Sequence, residues 1–161
     1  MQHALQAAHM AQIQGFDAET VLAALFHDIG HLCALPGAEM MGNVGVKGHE
    51  MIGGAFLRKH GFSNKVAELV EAHVMVKRYL TFKYPEYLAK LSSASLTSLK
   101  YQGGPLCEAE ATAFEADPLF SLKCKLREWD EAAKVVDWEV PSLESYRPLI
   151  VEHLSKQQCV V

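Results

Sequence analysis

Apolar residues recur along this chain at intervals of three and four, and the elements they predict are helices, so the expected fold is all-α. Met1 to Ala8 already read as helix interior, rich in good helix formers and with no capping residue in front, and this first helix runs to about Gln14 before Gly15 closes it. In the second helix Asp17 and Glu19 suit the start, Val21, Leu22, Leu25 and Phe26 give an inward face, and Gly30 suits the end. The third begins near Val46 or Lys47 and stops at Gly61, after a basic last turn of Arg58, Lys59 and His60 that suits the helix dipole. The pair Gly53-Gly54 inside it lowers helix propensity, which points to close packing at that place. Ser63 caps a fourth helix through Val66, Leu69, Val70 and His73.

After Tyr84-Pro85 one helix is expected through Leu88, Leu91, Ser95 and Leu99, broken at Gln102-Gly103-Gly104-Pro105, with Ser95 buried on its core face. A short acidic helix follows from Glu108 to Glu115, then Leu119 to Val135 with Leu122, Leu126, Trp129 and Ala133 as its stripe. A last helix, from about Ser142 to Gln157 with Pro148 in or near its first turns, closes the domain. The loop from Pro36 to Gly48, with four glycines and a proline, is mobile by composition and is expected to cover the mouth of a site.

The length of 161 residues suits one domain with a single substantial core, spanning the whole chain. A net charge of -4 without a basic run argues against nucleic acid or an anionic membrane as partner. Four scattered cysteines, Cys33, Cys107, Cys124 and Cys159, lack paired spacing, so reduced thiols and a cytoplasmic setting are expected.

The chemistry concentrates at Ala24-Leu25-Phe26-His27-Asp28-Ile29-Gly30-His31. A carboxylate beside an imidazole, both carried into the interior by an apolar run, is costly unless its charge is compensated, and a multivalent cation compensates it best. An Asp-His hydrogen bond that merely orients a core histidine is the plainer reading of the pair. Four histidines, His3, His27, His49 and His73, fall on four successive predicted helices at separations of 24, 22 and 24 residues, which suits a bundle giving one ligand per helix to a central site. With Asp28 as a bridge they are enough for two metals. His31 lies one turn beyond His27, where it could donate a hydrogen bond, touch a substrate or sit as a helix-end cation. Lys77 shares a face with His73, and Arg127 lies three residues before Asp130, although Arg127 could instead pair with Glu131 on a solvated face.

The His-Asp stretch resembles the signature of the HD-domain superfamily, helical metalloproteins with a metal site at the centre of the bundle. The segments His73 to Leu80, Leu91 to Ser95, Tyr101 to Pro105 and Arg127 to Glu131 narrow that resemblance to the phosphonate-degrading HD-domain oxygenases, of the kind that form glycine from 2-amino-1-hydroxyethylphosphonate, with myo-inositol oxygenase more distant. The resemblance implies two iron ions in a mixed-valence state. His3, His27, Asp28 and Asp130 would hold one, and Asp28, His49 and His73 the other; His27, Asp28 and Asp130 form the catalytic core. It places His31, Lys77, Ser95 and Arg127 around the phosphonate and implies cleavage of the carbon-phosphorus bond by O2 to glycine, or an N-methylated analogue, and phosphate. The family carries a tyrosine and a glutamate shortly before the first histidine ligand, so a segment in front of His3 is expected to be missing here. Two further readings compete: a metal-dependent phosphohydrolase using the same ligands, and a ligand-binding remnant without catalysis.

Overall fold

The computed structural model describes residues 1–159, and among them it contains ten α-helices and one 3-10 turn. The centre is built by α1 (Gln2–Ile13), α2 (Ala18–Phe26), α4 (His49–Lys59), α5 (Asn64–Lys83) and α9 (Phe120–Ala132), with α3 (Gly30–Cys33) between α2 and α4. Around it lie α6 (Pro85–Lys90), α7 (Ser93–Tyr101), α8 (Glu108–Glu115), the 3-10 turn Leu143–Tyr146 and α10 (Arg147–Gln158), with Pro148 in the first turn of α10, where its missing N–H costs nothing. No helix among the described residues is long and apolar enough to cross a membrane.

Small residues let α1 and α2 approach closely: Ala7, Ala8, Ala11, Ala23 and Ala24 are all buried, and Leu5, Leu22, Leu69, Val70, Leu126 and Trp129 fill the core they share with α5 and α9. Asp17 starts α2 by accepting the amide of Thr20 at 2.8 Å, and Ser63 starts α5 by accepting that of Val66 at 3.3 Å. A second, smaller core of Val76, Tyr79, Leu106, Ala111 and Phe114 fixes the outer end of α5.

Several boundaries differ from the pattern reading, each for a tertiary reason. Gly30 does not end a helix. The chain stays right-handed through His27 and Ile29, its bonding tightens to three-residue steps such as Ile29 N to Phe26 O, and Gly30 opens α3. Its role is contact: a Cβ there would lie 1.8 Å from the carbonyl oxygen of His49. Gly53 packs against it, with a hypothetical Cβ 3.2 Å from Gly30 N and 3.3 Å from Val70, so the expected close packing is present. The expected helix from Tyr84 to Leu99 is two helices, because Ser92 turns extended and caps α7 through the amide of Ser95. Ser95 consequently lies half-exposed rather than buried. The third predicted helix starts at His49, after Gly48 in the left-handed region, rather than at Val46 or Lys47. The four histidines therefore do not ride four successive helices, since α3 intervenes and His27 sits just beyond α2.

Candidate metal centre

Each central histidine is tied at Nδ1 to a backbone carbonyl, which leaves its Nε2 facing inward. His3 Nδ1 donates to Ala133 O (2.8 Å), His27 to Ala24 O (2.8 Å), His49 to Val46 O (3.0 Å) and His73 to Val70 O (2.7 Å). Such bonds fix the tautomer and aim the free nitrogen, as they do behind metal-bound imidazoles. The Nε2 atoms then meet in two pairs, His3 with His27 at 3.1 Å and His49 with His73 at 2.9 Å.

Asp28 stands between the pairs. Its Oδ2 lies 3.4 Å from His27 Nε2 and 4.0 Å from His3 Nε2, and its Oδ1 lies 3.8 Å from both His49 Nε2 and His73 Nε2. The side chain is not deep in the fold as His27 is; 42% of it is exposed, opening onto a cavity. Asp130, on α9, places Oδ1 at 3.0 Å from His3 Nε2 and 3.7 Å from His27 Nε2. Its Oδ2 accepts Arg127 Nη1 at 2.6 Å. Two groups of donors thus lie close enough to share an ion, His3-His27-Asp28 and Asp28-His49-His73.

The donor set fits a cation on its own terms. Two buried imidazoles whose Nδ1 protons are both committed to carbonyls face each other with bare lone pairs, at His49 and His73, and only a shared cation or an added proton relieves that. Burial opposes the proton, pushing His73 down to about 3 and lowering His49 as well. At the other pair burial also works against protonation, but Asp28 and then Asp130 outweigh it and hold His27 up at about 9. Burial would raise both carboxyls; His27, His73 and His49 around Asp28, and His3 and Arg127 around Asp130, keep them well below the usual range instead. The centre is an arrangement of negative charge and lone pairs for which imidazole and carboxylate ligands select a first-row transition metal.

Beside the centre lies a cavity of about 190 Å³. Lys77, His31, Ser95 and Arg127 all line it, together with Asp28 and Asp130. The Lys77 ammonium is buried and pushed down to about 8, by burial first and by Arg127 next. Its hydroxyl partner is Ser98 Oγ at 2.8 Å, a residue the sequence reading passed over although it follows Ser95 by three positions on α7. Gln102 also lines the cavity, with its Oε1 buried and unpartnered. Arg127 takes both roles offered to it: besides Asp130 it donates to Glu131 Oε1 (2.9 Å) and Tyr87 Oη (3.2 Å) through Nε, in a buried rather than solvated setting. From the loop before α4, Met41 and Val44 wall the cavity. His31 stacks on His49 with ring centroids 3.9 Å apart, while His9 lies elsewhere, against Trp138. All four cysteines are free thiols.

Bundle and centre together define a helical protein with a candidate metal centre, in which one carboxylate stands between two histidine pairs. The chain belongs to the HD domain family, whose model matches residues 1–117. It is 40% identical over 157 residues to the uncharacterized protein L432 of Acanthamoeba polyphaga mimivirus, covering 97% of this chain and 72% of that one. It is 36% identical over 155 residues to a [1-hydroxy-2-(trimethylamino)ethyl]phosphonate dioxygenase (glycine-betaine-forming) of Leisingera caerulea, covering 96% and 79%. A hydroxymethylphosphonate dioxygenase of Gimesia maris is 38% identical over 147 residues, covering 91% and 73%.

Proposed function

We propose that this chain is a diiron HD-domain oxygenase that cleaves the carbon-phosphorus bond of a 1-hydroxyalkylphosphonate with O2, giving a carboxylate and phosphate. The observation that carries this reading is the bridging placement of Asp28, one oxygen toward each histidine pair, at the wall of a cavity that also presents Lys77, Ser95, Ser98 and Arg127. The two relatives named as dioxygenases act on phosphonates that share a 1-hydroxy carbon and differ in what else that carbon bears. The assigned substrate is therefore a 1-hydroxyphosphonate head, with 2-amino-1-hydroxyethylphosphonate or an N-methylated analogue as the leading candidates.

Two irons, one on His3, His27, Asp28 and Asp130 and the other on Asp28, His49 and His73, would supply the redox chemistry with O2 that side chains lack. The protein's own share is positioning. Lys77 and the Ser98 hydroxyl to which it is tied, with Ser95 and Arg127 nearby, offer charge-assisted donors to phosphonate oxygens. Arg127 is held rigidly by Tyr87 and Glu131, so it keeps Asp130 in register with His3 while it faces the cavity. Met41 and Val44 keep that side of the cavity apolar and limit water. In the overall balance the substrate carbon loses its bonds to hydrogen and phosphorus, one atom of O2 ends in the carboxylate and the other in phosphate.

A panel of phosphonates tests the reading. Phosphate release under air from 1-hydroxyphosphonates, and none from the analogues lacking the hydroxyl, is the expected outcome. Phosphate release from ordinary phosphate esters without O2 would instead establish a phosphohydrolase.

A further inference from the structure

Two spaces of different character adjoin the central cavity. One is apolar, about 290 Å³, walled by Leu25, Phe26, Ile29 and Leu32, and it shares Asp28 and His31 with the cavity. The other is a groove of about 250 Å³ between α6, the start of α7 and the end of α9. Lys90, Lys134, Arg127, Tyr87 and Ser92 line it, with Glu131 as a carboxylate in its wall. Ser95, Arg127 and Lys134 line both this groove and the cavity that holds Asp28 and Asp130, so the two spaces meet there.

The positive charge of the groove is not cancelled within the protein. Glu131 is committed to Arg127, with Oε1 2.8 Å from Nη2 and 2.9 Å from Nε, and it also accepts the Tyr87 hydroxyl. Lys90 and Lys134 are exposed and, among the described residues, neither is paired with a carboxylate, whereas Lys47, Lys83 and Lys125 are. At the junction stands Arg127, its side chain only 9% exposed. A guanidinium has more N–H donors than Asp130, Glu131 and Tyr87 take up here, so some remain for a passing anion.

We infer that this groove is an anion-binding subsite outside the central cavity, where Lys90 and Lys134 take a dianionic phosphorus oxyanion on its way in or out. The inference rests on the oxygenase reading only for what that anion is in turnover, a phosphonate entering or phosphate leaving. A dianion is turned away from the apolar space, where the loss of its hydration would go uncompensated. In the groove two unpaired ammonium groups beside a cleft raise the local concentration of anions and speed their capture. Lys134 belongs to both spaces and hands the anion on, whereas Lys90 lines the groove alone. Removing the Lys90 charge therefore alters the route without touching the central cavity.

Inorganic phosphate titrated into the full chain without added metal, at an ionic strength held constant with chloride, probes the groove in 1H–15N spectra. The amides of Leu91, Ser92 and Lys134 should shift saturably, and should no longer do so when Lys90→Gln and Lys134→Gln are combined. No saturable shift in the unaltered protein, or the same shifts in the double variant, would overturn the subsite. In the Fe(II)-loaded enzyme at low salt, the double variant should lose about tenfold in kcat/KM for the phosphonate, the lower end of the usual gain from electrostatic steering. Lys90→Gln alone should lose about threefold, a loss carried by KM that fades as ionic strength rises. Lys59→Gln removes the same charge from the end of α4 and should leave kcat/KM as it is. Equal losses in Lys59→Gln and Lys90→Gln would assign the effect to net charge and overturn the route, as would an unchanged kcat/KM in Lys90→Gln. If the unaltered protein shows no O2 uptake with any phosphonate, the oxygenase reading fails, and the phosphate titration still decides whether the groove binds the anion.

Discussion

Asp28 does at one residue what a dinuclear centre requires, since one of its oxygens faces His3 and His27 and the other faces His49 and His73. Asp28→Asn should therefore weaken both halves, whereas His73→Ala should spare the His3-His27 half; metal analysis of protein loaded with Fe(II) without O2 should find the second variant keeping about half its iron and the first losing more than half. Equal full loading of both variants would contradict the bridge. His27 gives a second handle. Its basicity in the metal-free fold is raised to about 9, above the ordinary 6.5, so it carries a proton throughout the neutral range and must lose it when a metal takes Nε2. Anaerobic titration with Fe(II) in a weakly buffered solution near pH 7.5 should release about one proton for His27. The release should shrink as the pH is raised through about 9, where the free imidazole is already neutral. Uptake of metal with no proton release at pH 7.5 would show His27 to be neutral beforehand.

At the scale of elements, α3 and α4 meet through glycine, and this contact sets where His49 stands. Gly30→Ala would thrust a methyl group to within 1.8 Å of the His49 carbonyl, so it should destabilise the fold by at least the upper part of the usual overpacking range of about 1–3 kcal/mol and displace His49. Denaturant unfolding of the metal-free protein measures it, and an unchanged midpoint would refute the contact. The sequence carries Gly30 in plain view, yet its pattern reads as a helix stop because glycine at a helix end and glycine at a helix crossing look alike without the partner. Gly53-Gly54, in mid-helix, has no such alternative, and its packing role is legible. The same distinction separates the helices themselves. α2, α5 and α9 are legible from apolar stripes and caps, whereas the break at Leu91-Ser92 is hidden because Ser92 and Ser95 fit a continuous helix as well as a cap. Among the candidate site residues, His3, His27, His49 and His73 stand out by their separations of 24, 22 and 24 residues and Asp28 by its place beside His27, whereas Asp130 is expected only through the resemblance to HD-domain proteins. Ser98 and the Val46 carbonyl are not legible, since the first needs Lys77 beside it and the second has no side-chain signal at all.

Across the whole molecule, alanine contacts bring α1 onto α2, α5 and α9 close the bundle, and imidazoles and carboxylates from α1, α4, α5, α9 and the turn after α2 converge on one point. The segment after α9 is pinned back to α1 by Gln6, which donates to Val135 O at 2.7 Å and accepts Val135 N at 3.1 Å, so His3 and Asp130 arrive together. The most direct test of the account is O2 consumption by the protein loaded anaerobically with Fe(II), recorded on addition of 2-amino-1-hydroxyethylphosphonate, its N-trimethyl analogue or hydroxymethylphosphonate, with phosphate measured in the same sample. O2 should be taken up and phosphate released in equal amounts with at least one of them. Bound iron with phosphate released and no O2 consumed would contradict it.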